Sequence, residues 1–347
     1  MRRRQFVAAA TALGADGLFS AWAGAVAAAS AKRILMVTWR GETDVERGFR
    51  DYLARHRPGI EIVLRDADRD PQRLIAIAAE VAEIRPDLVY VWGTSAMLGM
   101  VGRHDAPNRD AGGIGRRGAT PVVFALVADP VGAGILPQLI RHGRAITGVS
   151  HMAPIDAQIE VIRRYRPLTR LGILYNPLEE NSLANVRELK TQAALKKFSL
   201  LEQTFDLLAG RKPGPAGIAE KIQALKMAGA EWLYVGPDSY LFTQLRAVAA
   251  AAREAALPVF ATTEAVMNAP EDILAGLVSP YREVGEFAAH KAVQILFEGR
   301  SAADVPVETL KRFSLVVRLD VAQRLKLLPP LEFFEFSEMR QGPLAPA

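Results

Sequence analysis

The stretch Thr120–Ile135, TPVVFALVADPVGAGI, decides the fold of this chain. Its apolar run from Val122 to Val127 is rich in β-branched residues and ends just before Asp129, where a loop with two glycines begins. This pattern predicts a buried strand whose carboxyl end opens into a polar loop. Ligands of open parallel sheets bind beyond the carboxyl ends of the strands, so Asp129 stands where a binding residue is expected. An aspartate that only caps a helix or closes an Asx turn fits the local sequence equally well.

The order of strand, loop and helix repeats along the rest of the chain. The predicted strands are 34–37, 60–64, 88–92, 122–127, 171–175, 200–205, 232–235, 258–261, 274–278 and 313–317. Helical patterns alternate with them, which predicts an α/β fold with parallel sheets flanked by helices. The segment 103–119 contains Gly-Gly-Ile-Gly, but it follows a helix and precedes a strand, the reverse of a phosphate-binding loop. We interpret it as an exposed insertion.

The composition of the chain excludes several classes of function. Its 347 residues suffice for two domains of ordinary size. The absence of cysteine excludes disulfides, thiolate catalysis and zinc–thiolate sites. The formal net charge is +5, and it falls to +3 without residues 1–31, which carry three arginines and one aspartate. A positive charge this weak and scattered does not indicate a nucleic-acid partner.

Residues 1–31 have the pattern of an export signal. Three arginines precede a mostly apolar region, which ends in the small residues Ala29-Ser30-Ala31. Arg3-Arg4-Gln5-Phe6 also resembles the twin-arginine pattern. The apolar run is too short and too interrupted for an uncleaved membrane anchor, and no later stretch could span a bilayer. We therefore expect an exported, periplasmic protein that is soluble after signal cleavage.

Small polar residues follow several of the predicted strands, each just before a predicted helix. They are Thr94 and Ser95, Asp129, Asn181 and Ser182, and Asp238 and Ser239. Any one of them fits a plain helix cap. A helix N-terminus also offers unpaired N–H groups and the positive end of its dipole, which suit a carboxylate ligand. Their collection at one sheet edge therefore indicates a binding site.

Seven segments occur in a characteristic order. They are GTSA at 93–96, PVVFALVADPVGAG at 121–134, ITGVS at 146–150, LGILYNPLEENS at 171–182, LYVGPDS at 233–239, LPVFATTEAV at 257–266, and VPVE followed by FSLVV within 305–317. In these segments the chain resembles the solute-binding proteins of ABC importers with the type I periplasmic-binding-protein fold. The subgroup that includes tryptophan and tyrosine binders is the most similar. The resemblance covers nearly all of the chain after residue 31.

The resemblance implies two Rossmann-like lobes with helix-flanked parallel sheets, joined by three crossing segments near 147–150, 258–262 and 305–313. The first lobe would be 32–146 plus 263–304. The second lobe would be 147–262 plus 305–330, followed by a C-terminal tail at 331–347. Four features depart from the family. The 103–119 insertion is longer than usual, 268–271 replaces a Gly-containing turn, Arg318 stands where an asparagine is common, and the tail is unusual.

The resemblance also implies which residues face the cleft between the lobes. From the first lobe these would be Trp39, Glu42, Thr94, Ser95 and Asp129. From the second they would be Ser150, Asn176, Asn181, Ser182, Asp238 and Ser239, with Glu264 beside the hinge. Thr94 and Ser95 would then bind a carboxylate, and Asp129, Asp238 or Glu264 an ammonium group. Trp39 could cover an apolar side, and the loop 39–43 is expected to help choose the ligand.

We therefore expect a monomeric binding protein that closes by a hinge on a small, amino-acid-like or carboxylate ligand and docks on a membrane permease with its ATPase. A ligand-sensing subunit for a membrane receptor or sensor kinase is the alternative. A repressor of similar fold would carry a helix-turn-helix where this chain has its export signal. Of five histidines none is paired at metal-ligand spacing, and only His151 lies near the expected cleft. Nucleophile-elbow and phosphate-loop motifs are absent, so we expect no enzyme activity, metal or cofactor.

Overall fold

The computed structural model describes residues 32–106, 114–116 and 118–342. The predicted export signal at 1–31 lies outside the described residues, as does part of the 103–119 insertion. None of the helices in the described ranges is long and apolar enough to cross a membrane.

The secondary structure alternates as the sequence predicts. The strands are β1 Arg33–Thr38, β2 Glu61–Asp66, β3 Leu88–Trp92, β4 Val122–Val127, β5 Ile146–Ser150, β6 Arg170–Tyr175, β7 Ser199–Thr204, β8 Asp206–Leu208, β9 Lys212–Gly214, β10 Trp232–Val235, β11 Val259–Ala261, β12 Ala275–Val278, β13 Glu308–Thr309, β14 Ser314–Arg318 and β15 Glu338–Arg340. The helices are α1 Asp44–His56, α2 Pro71–Ile84, α3 Thr94–Val101, α4 Ile155–Tyr165, α5 Glu180–Lys196, α6 Ile218–Met227, α7 Ser239–Thr243, α8 Leu245–Glu254, α9 Glu264–Met267, α10 Tyr281–Leu296, α11 Leu319–Leu325 and α12 Phe333–Phe336.

The first lobe is built on a six-stranded parallel sheet of order β13-β5-β4-β3-β1-β2. Helix α10 belongs to this lobe because it packs closely on α1. Gly48 of α1 and Gly285 of α10 make that approach feasible, since a Cβ at either glycine would collide with a backbone carbonyl of the other helix. The late segment 281–296 thereby joins the core of the first sheet.

The second lobe is built on a seven-stranded sheet of order β15-β14-β12-β11-β10-β6-β7. Its strands are parallel except at the β12–β14 pair, which is antiparallel. Strand β10 shows that both faces are covered: Leu233 and Val235 belong to one apolar core, and Trp232 and Tyr234 to the other. The sequence prediction of an α/β fold with helix-flanked parallel sheets is confirmed, apart from this antiparallel pair.

The chain passes between the two sheets in segments 151–154, 279–280 and 310–313. The second crossing differs from the expectation of 258–262. Phe260 pairs with Ala275, and Met267 and Ile273 are buried in a second-lobe core, so 263–278 belongs to the second lobe. The other boundaries shift as well: 147–150 pairs with β4 in the first sheet, and β13 within 305–309 pairs with β5.

The C-terminal tail expected at 331–347 is, up to residue 342, an integral part of the second lobe. Strand β15 pairs with β14, and the fully buried Phe333 packs its ring against Tyr165 at 5.3 Å. Arg318, only 2% exposed, donates to both carboxylate oxygens of Asp320. That pairing lowers the pKa of Asp320 to about 2. Because the Gly342 amide also donates to Asp320, Arg318 anchors the end of the chain indirectly.

Candidate functional site

The carboxyl ends of strands from both sheets meet at one cavity. It contains about 540 Å³ of space that protein atoms do not fill, part of it open to solvent. Its lining residues are Trp39, Arg40, Trp92, Gly93, Thr94, Ser95, Leu126, Ala128, His151, Asn181, Gly236, Pro237, Asp238, Ser239, Phe242, Thr263, Val266 and Tyr281. A concave wall that combines aromatic side chains with convergent polar groups is typical of a small-molecule site.

A bulge in β4 shapes one wall of this cavity. The register between β4 and β5 shifts between Ala125 and Val127, which leaves Leu126 as the extra residue. Leu126 has φ of 57°, a left-handed conformation that is unfavourable for a leucine. Bulges and strained residues cluster next to binding sites, where they redirect side chains. Here Leu126 lines the cavity at the end of the strand that decides the fold.

Arg40 bridges the cavity between aromatic rings of the two lobes. Its guanidinium carbon lies 5.0 Å from the ring centre of Trp92 and 4.3 Å from that of Phe242. The guanidinium forms no hydrogen bond or ion pair with any other described residue. Burial lowers the pKa of Arg40 from its usual range. Stacking contacts use the faces of a guanidinium, so its in-plane N–H donors stay available for an acceptor.

Other donors at the cavity also lack acceptors. The indole Nε1 atoms of Trp39 and Trp92 are buried without a hydrogen-bond partner among the described residues. Helix α3 begins at this wall after Gly93, whose φ of 81° and missing side chain leave the helix without a side-chain cap. The first N–H groups of a helix have no partner inside it. The cavity therefore has an excess of hydrogen-bond donors.

His151 and Asn181 add two further unpartnered atoms. The Nδ1 of His151 and the Oδ1 of Asn181 are buried with no hydrogen-bond partner in the described part of the chain. Asn181 has a fixed orientation, because its Nδ2 donates to the Pro237 carbonyl at 2.6 Å. Burial, with a contribution from the Arg40 charge, lowers the pKa of His151 to about 3. Its imidazole is therefore neutral at physiological pH.

Asp238 is the one carboxylate among the described residues that line this cavity, and its oxygens already accept three hydrogen bonds. They accept hydrogen bonds from the Asn176 amide at 2.7 Å, the Ser182 hydroxyl at 2.9 Å and the Leu241 amide at 2.7 Å. Burial raises the pKa of Asp238 to about 7, and the neighbouring Glu179 adds to this shift. Asp238 thus caps α7 and ties it to the loop after β6.

The structure brings six of the twelve predicted site residues to the cavity wall. These are Trp39, Thr94, Ser95, Asn181, Asp238 and Ser239. Asn176 and Ser182 lie one layer behind the wall, where they hold Asp238. Glu264 accepts from the Tyr281 amide at 2.7 Å across the second crossing, so it lies beside that crossing and not in the cavity.

Three predicted residues are elsewhere. Glu42 is exposed and forms an ion pair with Arg50 at 2.7 Å. The Ser150 carbonyl accepts from Thr309 at the sheet edge. Asp129 accepts from the amides of Val131 and Gly132, so the Asx-turn interpretation is correct for one of its oxygens. Asp129 lines a second cavity of about 700 Å³, which adjoins the first at Asn181.

Sequence reasoning did not identify three residues that line the cavity, namely Arg40, Trp92 and Tyr281. Arg40 lies in the loop expected to choose the ligand, but nothing local shows that its side chain meets Phe242 of the other lobe. Trp92 ends a predicted strand, and Tyr281 begins a helix after a proline. An aromatic or cationic residue at the carboxyl end of a buried strand was the available signal.

Two helix-flanked sheets that face a cleft and are joined by three crossings define a two-lobed type I periplasmic-binding-protein fold. The profile of the ABC transporter substrate binding protein family matches residues 45–332, and the chain belongs to this family. The resemblance seen in the sequence is thereby confirmed. The family consists of substrate-binding proteins and not of enzymes.

Similar proteins include one curated relative and several solved structures. A tyrosine-binding protein of Clostridioides difficile is 24% identical over 284 residues, which span 81% of this chain and 74% of that protein. A conserved domain protein of Vibrio cholerae is 22% identical with a TM-score of 0.75, over 89% of this chain and 99% of that chain. An ABC domain of Streptococcus pneumoniae in complex with L-Trp is 21% identical with a TM-score of 0.74 and the same coverage.

Proposed function

We propose that this chain is the extracytoplasmic receptor of an ABC importer, which binds a small ligand with a carboxylate group in the cleft between its lobes. The observation that carries the proposal is the cavity between the two sheets, which Arg40 lines without an ion pair to any described residue. An amino-acid-like or other carboxylate ligand would supply the acceptors that Arg40, the two indoles and the start of α3 lack. The names of the similar proteins support an aromatic ligand.

The lobes would close on the ligand by bending at the three crossing segments. Two contacts organise these segments. Ser279 donates to the His151 carbonyl at 2.6 Å, which joins the first and second crossings, and Glu264 holds the amide of Tyr281 at the start of α10. A ligand drives closure only through its greater affinity for the closed state. The closed form would then dock as a monomer on the permease, which works with an ATPase.

Localisation follows from the same proposal. Residues 1–31 would direct export, and the mature protein would act in the periplasm. Fractionation of cells that produce the full chain tests this point, because the mature form should appear in the periplasmic fraction without its first residues.

A thermal-shift screen with amino acids and other small carboxylates tests the binding function. A ligand at one hundred times its dissociation constant should add about 2.7 kcal/mol to the free energy of unfolding. Ser95→Trp should fill the cavity and abolish the shift, whereas Ser199→Trp, on an exposed position of β7, should retain it. If no small molecule raises the melting temperature of the unmodified protein, the receptor function is refuted.

A further inference from the structure

Several strong hydrogen-bond donors at the cavity have no acceptor among the described residues. Arg40 contributes an unpaired guanidinium, and the buried indoles of Trp39 and Trp92 contribute two N–H groups without partners among the described residues. Unmade hydrogen bonds of buried groups are unfavourable. A ligand that brings several acceptor oxygens therefore gains the most from this site.

Among the described residues that line the cavity, an α-ammonium group would meet one carboxylate, which the second lobe already uses. Asp238 is the one carboxylate that lines the cavity in the described part of the chain, and its oxygens already accept three hydrogen bonds from the second lobe. The ammonium of an amino acid is two bonds from its carboxylate carbon, so it would lie close to Arg40 as well. Two positive charges at this separation repel each other in a cavity of low dielectric constant.

His151 shows the effect of Arg40 on a second positive charge. Its imidazole is buried at the same wall, and the Arg40 charge adds to burial in disfavouring the protonated form. An ammonium group of a ligand would experience the same repulsion. The Oδ1 of Asn181, which has no hydrogen-bond partner among the described residues, is a neutral acceptor and suits a hydroxyl or ring N–H of the ligand.

From these contacts we propose that the cleft selects small aromatic carboxylates that lack an amino group, and that Arg40 determines this selectivity. The aromatic part would lie against Trp39 and Tyr281, while the carboxylate lies in the plane of the guanidinium. Arg40 would keep its stacking contacts with Trp92 and Phe242 as it binds. This inference rests on the proposed function of the cleft as a small-molecule site.

Isothermal titration with matched compounds tests the inference. The probes are 3-(indol-3-yl)propionate, L-tryptophan and tryptamine, and 3-(4-hydroxyphenyl)propionate, L-tyrosine and tyramine. The propionates should bind at least about tenfold more tightly than the amino acids, because the amino acids place an unpaired ammonium beside Arg40. The amines should not bind detectably.

Variants at Arg40 separate selectivity from folding. Arg40→Gln should weaken propionate binding by at least about 30-fold and remove the preference over the amino acid. Arg40→Lys keeps the charge but loses the planar pair of N–H donors. It should therefore retain part of the affinity for the propionate and part of the preference over the amino acid. Arg246→Gln is the matched control, since the Arg246 side chain is 90% exposed and lies away from the cavity. The melting temperature of each variant without ligand reports whether it is folded.

The outcomes distinguish this inference from the function on which it rests. Amino acids that bind as tightly as the propionates or more tightly would overturn the selectivity and leave the receptor function intact. Binding of other small molecules, together with no binding of any aromatic carboxylate, would also overturn the selectivity and leave the receptor function intact. An unchanged preference in Arg40→Gln would overturn the role of Arg40. Failure of every small molecule to bind the unmodified protein would refute the receptor function itself.

Discussion

Arg40 is a half-buried cation whose guanidinium lies against two ring faces and forms no ion pair with any described residue. Each cation–π contact contributes roughly 0.5–2 kcal/mol, which offsets part of the desolvation of the guanidinium. The contacts with Trp92 and Phe242 leave its hydrogen-bond donors unpaired. Because the N–H donors of Arg40 have no acceptor among the described residues, an anionic ligand that supplies acceptors should bind favourably there. The same charge influences the titration of its neighbour His151.

His151 should lower the stability of the protein as the solution becomes acidic. Its pKa is about 3 in the folded protein, and in the unfolded chain it has the ordinary value of 6.5. Between these values the unfolded chain binds more protons, so the free energy of unfolding falls as pH falls. From pH 6.5 to pH 4.5 this contribution amounts to roughly 2–3 kcal/mol.

Urea denaturation of the unmodified protein and of His151→Gln at both pH values measures this contribution. Asp238, with its raised pKa, acts in the opposite direction, so stability from this group increases between pH 7 and pH 4. The difference between the two proteins isolates the contribution of His151. From pH 6.5 to pH 4.5 the free energy of unfolding of His151→Gln should rise by roughly 2–3 kcal/mol relative to that of the unmodified protein. His104→Gln, at an exposed position, should show no such rise in the free energy of unfolding relative to the unmodified protein. Equal pH dependence in all three proteins would contradict the expectation.

The bulge in β4 is the element that adapts the central strand to the cavity. A glycine in a regular strand makes a protein less stable than an alanine at the same position, by roughly 0.5–1 kcal/mol. At Leu126, with φ of 57°, the order should be inverted, because a Cβ in the left-handed region costs about 1–2 kcal/mol. We expect Leu126→Gly to be more stable than Leu126→Ala by about 1 kcal/mol.

Chemical denaturation of the Leu126 pair measures this difference, with Ala125→Gly as the control in the regular part of the strand. The control should lose stability, since Ala125 is fully buried and has no positive φ. A Leu126→Ala protein more stable than Leu126→Gly would show that the left-handed conformation is not a source of strain.

Helix α12 in the C-terminal tail stabilises the second lobe through one aromatic side chain. Phe333 is fully buried, whereas Phe334 is 53% exposed. Phe333→Ala should lower the free energy of unfolding by about 3–5 kcal/mol, because it removes a large core side chain. Phe334→Ala should change it by less than about 1 kcal/mol. Thermal unfolding of both variants compares them, and similar losses would mean that the tail does not belong to the folded core.

The sequence determines these elements to different degrees. Every predicted strand, from 34–37 to 313–317, is present because each is marked locally by an apolar run between turn residues. The sheet that a strand joins depends on distant pairing, and the β11–β12 pairing that places 263–278 in the second lobe leaves no local signal. The same applies to β15 in the tail and to Arg40, whose contact with Phe242 spans the two lobes.

At the scale of the whole molecule, few contacts connect the lobes apart from the crossings. Arg187 of α5 donates to the Gly132 carbonyl of the first lobe at 2.8 Å, and Arg40 of the first lobe stacks on Phe242 of the second. Such contacts exist only while the lobes are close together. In the proposed hinge closure these contacts would add to the stability of the closed arrangement and, through it, to the affinity for a ligand that bridges the cleft.

Phe242→Ala should shift the protein without ligand toward an open arrangement. The substitution removes one cation–π contact from the closed state alone, worth roughly 0.5–2 kcal/mol, so the affinity for a cleft ligand should fall about 2- to 30-fold. Small-angle scattering should show a larger radius of gyration without ligand and the original value at saturation. Phe297→Ala is the matched control, because Phe297 takes part in a similar contact with Arg57 at 5.3 Å within the first lobe. The control should lose stability without losing affinity. Equal effects of the two substitutions on affinity would mean that the stack across the cleft does not contribute to closure.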